Sequence, residues 1–233
     1  MSKLFSNGCS FLTPRPKDGV NTFVTQILAE QYNLQLFNLA MGGRGNDRIS
    51  FTTKLWFEQN GTDNIFAVIG WSSTFRNDYV THDGWKKGRI PGMDLTWRTW
   101  KVADQLRFVN SNVGWDIDNT GIMRYIDHVF DLQNYFKLKK IPYVMYNALP
   151  NVFIKEFPNT LPNAFNMKIK DFADIYKALD LKRFFKPETN HYDFVTKENM
   201  IVSPKDPHPS VEGHTQWAKQ LKEFIDANNL RTI

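Results

Sequence analysis

From Lys3 to Gly70 the chain alternates short extended runs with helical periodicity, and this alternation is the strongest restriction on its fold. Residues 3–9 form an extended run through Gly8. Val20, Phe23, Val24, Ile27 and Leu28 then recur at i, i+3, i+4, i+7 and i+8, one face of a helix over about 20–32 that Asp18 can cap. Leu34 to Ala40 predicts a second strand. The Gly42-Gly43-Arg44-Gly45 segment cannot be regular structure, and a helix is expected from about Asp47 to Gln59. Ile65 to Gly70 is continuously apolar, as a strand covered on both faces requires. Strands alternating with helices predict an α/β chain, a mostly parallel sheet with a helical layer on each face.

The second half repeats the pattern. A helix is expected from near Asn119 to Lys140, with Ile122, Ile126, Val129, Phe130 and Phe136 inward, followed by a strand over Pro142–Tyr146. Pro150, Pro158 and Pro162 mark a loop over 148–165, after which weaker helix is expected to about Phe185. The last helix starts after Pro209 with Ser210 as N-cap and buries Val211, His214, Trp217, Leu221, Phe224 and Ile225. Residues 71–115 read as irregular and carry five of the seven tryptophans, Trp71, Trp85, Trp97, Trp100 and Trp115. The expectation is a single domain over 1–233 with an aromatic-rich insertion at about 71–115.

Composition narrows the functional classes. The 29 Lys+Arg exceed the 24 Asp+Glu by only five charges, and the dense basic stretches 86–89 and 137–140 read as solvated faces. A nucleic-acid partner is therefore the least favoured reading. One cysteine excludes a disulfide framework and any multi-cysteine metal site. His82, His128 and His191 are scattered with no His-x-x-x-His pair, and no Gly-Lys-Ser/Thr follows the 42–45 glycines, so no metal or other cofactor is expected. The Asp116 and Asp118 pair reads as a loop turn. No run approaches the ~18 apolar residues of a membrane span, and no signal sequence is visible, so the expected compartment is cytoplasmic.

In a parallel sheet, ligands sit beyond the carboxyl ends of the strands. Three such ends are unusual here: Gly8-Cys9-Ser10, Asn38 to Gly43, and Gly70-Trp71-Ser72-Ser73. A fourth segment, Asp206-Pro207-His208-Pro209-Ser210, precedes the final helix. A serine at a turn, a histidine on another loop and glycine amides between them are the parts of acyl transfer. Cys9 is the weaker nucleophile candidate, because a lone cysteine at a strand end is usually buried and inert. The absence of Gly-x-Ser-x-Gly argues against the nucleophile elbow of α/β-hydrolases.

Taken together, the four segments resemble the blocks of SGNH (GDSL-type) hydrolases, and the variant set also resembles versions encoded by bacteriophages. The resemblance implies a flavodoxin-like α/β/α esterase with Ser10 as nucleophile, His208 as base, Asp206 as the acid that orients it, and Gly43 at the oxyanion-hole glycine. Ala40 stands where the second block has its first glycine, and Ser72 where the third has asparagine. The missing amide donor would then come from Ser72 or from nearby Asn46. Asp206 lies two residues before His208, where the family pattern is Asp-x-x-His; strict register would put Lys205 at the acid. Either Asp206 reaches the ring from a shifted backbone or a main-chain carbonyl orients it. His214, one turn into the last helix, is expected to be structural.

The resemblance implies a serine ester hydrolase acting on a small-molecule or glycan ester, with virion or host cytoplasm as its location if the chain is phage-encoded. The alternative is a binding or structural virion module on the same scaffold that holds a glycan or protein partner. The 71–115 segment is core or lid, or else a stacking wall beside Ser10, with Trp71 as the first candidate. Arg76, Lys86, Lys87, Arg89 and Arg98 in that stretch could accept an anionic group. Nothing in the sequence specifies an oligomeric state.

Overall fold

The computed structural model describes residues 2–74, 76–81, 96–100, 117–150 and 177–232. Five parallel strands form the central sheet: β1 (Lys3–Gly8), β2 (Gln35–Asn38), β3 (Ile65–Trp71), β6 (Tyr143–Asn147) and β7 (Phe184–Phe185). Their order is β2-β1-β3-β6-β7. Chain direction across the sheet reverses between β1 and β3, the crevice where flavodoxin-like sheets hold their ligands. Both faces are covered by helices. On one lie α1 (Val24–Gln31) and α5 (Val211–Ala227), whose Val24, Leu28, Trp217, Leu221 and Ile225 pack with Leu4, Val68 and Val144 of the strands. On the other lie α2 (Asn46–Asn60) and α3 (Ile117–Leu138), burying Ile49, Phe57, Val129, Leu132 and Phe136 against Phe5, Ile69 and Met145. β3 is buried at every position, as its unbroken apolar run requires. The result is the three-layer α/β/α sandwich.

Several short elements depart from the pattern. The helix expected over 20–32 begins only at Val24, after a 3-10 turn at Pro16–Asp18 that ends on Gly19 in the left-handed region. Within 71–115, two segments pair as an antiparallel hairpin, β4 (Asn77–Thr81) with β5 (Thr96–Trp100), in place of irregular chain. The helix expected to run to Phe185 is replaced at its end by a 3-10 turn, Leu181–Arg183, and by β7. A helix α4 (His191–Lys197) and a second hairpin, β8 (Ile201–Ser203) with β9 (Asp206–Pro209), precede α5. Trp85, Trp115, His82, Lys86, Lys87, Arg89, Asp116, most of the 148–165 loop and the side chains of Trp97, Trp100 and Arg98 lie outside the described residues.

Candidate active site

The turn after β1 is shaped by two glycines. A methyl group on Gly8 would meet the Gly70 carbonyl oxygen at 2.7 Å, and one on Gly70 would meet Leu12 Cδ1 at 2.4 Å. Their bare backbones let Leu12 fold back over both strand ends, and Ser10 opens the 3-10 turn Ser10–Leu12 that this packing fixes. Asn38, at the end of β2, donates from Nδ2 to the Leu12 carbonyl at 2.7 Å. Asn7, fully buried in β1, ties the turn to its neighbours from below. Its Nδ2 donates to Ile49 O, Thr52 Oγ1 and Thr53 Oγ1 on α2. Its Oδ1 accepts from Gly8 N–H at 2.9 Å and from Arg44 Nη1 at 3.0 Å, which binds the 42–45 loop to the serine's own strand. Arg44 is buried, and that burial pushes its guanidinium down to about 10.

The hairpin brings the other half of the site. A residue preceding proline is forced into extended backbone, and both Asp206 and His208 precede one. In extended chain, residues two apart point to the same side. The two-residue spacing therefore places the carboxylate beside the ring: Asp206 Oδ1 lies 2.5 Å from His208 Nδ1 and also accepts from the His208 N–H at 3.3 Å. Of the two arrangements left open by the sequence, Asp206 itself reaches the imidazole. His208 Nε2 stands 2.9 Å from Ser10 Oγ. Because a carboxylate only accepts, Nδ1 carries the proton, and Nε2 is left to accept from the serine hydroxyl. Burial opposes the charge on Asp206, but the hydrogen bonds from His208 and the Arg15 guanidinium outweigh it and hold the carboxyl below its usual range. Chemically, this chain of three can deprotonate a nucleophile and return the proton to a leaving group.

The remaining sequence-predicted residues divide. A Cβ on Gly42 would lie 3.9 Å from Ser10 Cβ, so the Gly42-Gly43 turn runs beside the serine, with Gly43 at φ +78°. Asn46 is not aimed at an oxyanion. Its Oδ1 accepts from Ser72 N–H at 2.8 Å and its Nδ2 donates to Ser72 O at 3.0 Å, so the amide is used up clamping the end of β3. Ser72 is fully buried, with Oγ 3.4 Å from Arg76 Nη1. Trp71 is fully buried too, edge-on to Tyr125 in the core under α3. β3 is covered on both faces and Trp71 leaves it toward the Tyr125 side, so it presents no face to a substrate and the stacking-wall expectation is corrected for this ring. Cys9 is fully buried, and that burial pushes its thiol up against the pull of Arg76, which suits an inert thiol.

The partner of Arg15 and the surroundings of His191 were missed from sequence, whereas His214 is buried as expected. Arg15 donates to Asp206 Oδ2 across 191 residues of chain. Behind His208, His191 stacks on Trp217 at 4.8 Å and meets His214 edge-on at 5.5 Å. The only signal for either was a charged or polar residue inside an apolar or proline-bounded stretch, which does not name its partner.

Comparison with protein-family models gives no match, and comparison with curated proteins gives none. Solved structures do match in shape. The psychrotrophic esterase EstA from Pseudoalteromonas sp. is 11% identical, with 97% of this chain and 98% of EstA covered at a TM-score of 0.51. TesA is 10% identical over 97% of this chain and 99% of its own, at 0.52. The lipase Lip_vut3 from a goat rumen metagenome is 12% identical over 96% and 97%, at 0.53. Across nearly its whole length, the chain has the α/β/α fold of SGNH (GDSL-type) esterases and lipases.

Proposed function

We propose that the protein is a serine ester hydrolase working through an acyl-enzyme on a small-molecule or glycan ester. One observation carries this reading: Ser10 Oγ, His208 and Asp206 stand in a single hydrogen-bonded line, with contacts of 2.9 and 2.5 Å, at the carboxyl end of β1. Ser10 Oγ attacks the acyl carbon while His208 Nε2 takes its proton, and the carbonyl π pair moves onto oxygen. The Ser10 and Gly43 amides are the proposed donors to that oxyanion. Collapse breaks the bond to the alcohol oxygen, which leaves with the proton from His208. Water then repeats the sequence in reverse roles to release the acid and restore Ser10. With Asn46 committed to Ser72, the amide that the sequence offered to the hole is not supplied, and loss of one such donor typically lowers turnover by about 10²–10³. A slow esterase is the expectation.

The test is hydrolysis of p-nitrophenyl acetate together with labelling by a p-nitrophenyl phosphonate read by mass spectrometry. Ser10→Ala is expected to abolish labelling and reduce turnover by roughly 10³ or more, with the melting temperature little changed. Wild-type protein that neither turns over nor labels sinks the proposal and leaves the binding-module reading.

A further inference from the structure

We propose that Arg15 is a positioning residue for the Ser10–His208–Asp206 line, holding the second oxygen of Asp206 so that the first stays on the imidazole. The inference rests on the esterase reading of that line. Asp206 sits on a short hairpin strand, and its side chain keeps 27% of its surface exposed. A carboxylate in that position can rotate toward water, and its hold on His208 Nδ1 would then lapse. Arg15 Nη2 donates to Asp206 Oδ2, the oxygen that His208 does not use, while Arg15 Nε donates to Asp18 Oδ2 at 2.7 Å. The guanidinium is thus held from both sides.

The backbone of Arg15 is fixed as firmly. It lies between Pro14 and Pro16, its N–H donates to Val20 O at 2.6 Å, and its carbonyl accepts from Val20 N–H at 3.1 Å. Arg15 is also only five residues beyond Ser10, on the same connection between β1 and α1. The contacts therefore close a ring: Ser10 to His208, His208 to Asp206, Asp206 to Arg15, and back along five residues of rigid chain to Ser10. The serine's loop sets the orientation of the acid as well as the nucleophile. A cation beside Asp206 also weakens the pull of the carboxylate on a protonated His208, which opposes catalysis. Between solvent-exposed groups that electrostatic effect is small. A misoriented imidazole is far more damaging, as loss of the correct tautomer in such triads shows. Positioning therefore wins.

Three measurements test this together. Arg15→Gln is expected to lower kcat about tenfold with KM nearly unchanged, and Arg15→Lys, which keeps a donor and a charge, to restore part of the loss. In an Asp206→Ala background, Arg15→Gln should cost nothing further, because its partner is gone. Independently of any turnover, 15N shifts of the His208 ring can be read in a Ser10→Ala background. They should report a fixed Nδ1–H tautomer when Arg15 is intact and in Arg15→Lys, and a mixture in Arg15→Gln. Losses that multiply in the double variant, or an unchanged tautomer in Arg15→Gln, overturn the proposal. If the protein proves to have no esterase activity, the tautomer measurement still decides whether Arg15 orients the pair.

Discussion

In the proposed Ser10–His208–Asp206 line, water can stand in for one member and not for another. His208 is the sole base on Ser10 Oγ among the described residues, and no neighbour lies placed to replace it. Asp206 is partly open to water, and a water molecule can accept from Nδ1 in its place. His208→Ala is therefore expected to cost more in kcat/KM than Asp206→Asn, about 10⁶-fold against roughly 10⁴-fold; equal losses in two folded variants would refute this ranking. Gly8 makes a different demand. A methyl there would sit 2.7 Å from the Gly70 backbone oxygen, which cannot move without parting β1 from β3. Gly8→Ala should lose about 1–3 kcal/mol in urea unfolding and should displace Ser10 as well. The sequence made the meeting of Ser10 and His208 legible because each lies in a local pattern of turn residues, whereas the close approach at Gly8 shows only in the fold. The sequence misdirected Asn46 and Trp71, whose proximity to a strand end says nothing about the direction in which a side chain leaves it. Arg15 was invisible, since a pair separated by 191 residues has no local signature.

Legibility at the level of elements follows length and burial. β3 was readable from an unbroken apolar run, and α3 and α5 from apolar periods long enough to exceed chance: β3 is buried throughout, and α5 buries Trp217, Leu221 and Ile225 along one side. Ser210 caps α5 as the sequence suggests, accepting from Gly213 N–H at 3.2 Å. β7, β8 and β9 are two to four residues long and have no period to read. Their form is set by what they pair with. In β9 the two prolines take over that role, and the sequence did contain this information: a proline after Asp206 and another after His208 restrict both to extended backbone. The short acid–base spacing, which looks like a defect beside an Asp-x-x-His loop, is the spacing that a strand needs. Replacing Pro207 with Ala frees Asp206 to leave the extended region while deleting no contact among Ser10, His208 and Asp206. Turnover by Pro207→Ala is expected to fall roughly threefold to tenfold, with unfolding by urea little affected. An unaltered rate would mean that pairing of β8 with β9 alone keeps the two side chains on one side.

Across the whole molecule, the face covered by α1 and α5 contains an unusual burden for an apolar layer. His191 and His214 are both fully buried there, and their ring nitrogens find no hydrogen-bond partner of good geometry among the described residues. Phe11, Tyr146 and Trp217 surround His191. Burial, with smaller contributions from the charges of His208 and Arg15, pushes His214 down to about 3. Burial and the neighbouring His214 likewise hold His191 well below its usual range, against a weaker opposite pull from the Gly213 backbone. Both rings are therefore neutral in the folded protein, whereas in the unfolded chain they take up protons below about 6.5. Between these limits the unfolded state binds more protons, so stability is complete above about pH 6.5 and falls as the pH is lowered toward 3. For His214 alone the loss reaches roughly 2 kcal/mol at about pH 5. Asp206, the carboxylate on His208, is held below its usual range, so this loss of stability sets in at a higher pH than its protonation. Urea midpoints measured from about pH 7 to about pH 4.5 should decline in wild type and decline less steeply in His214→Leu. A variant that loses stability with the same slope would show that the buried pair is not the source of acid sensitivity.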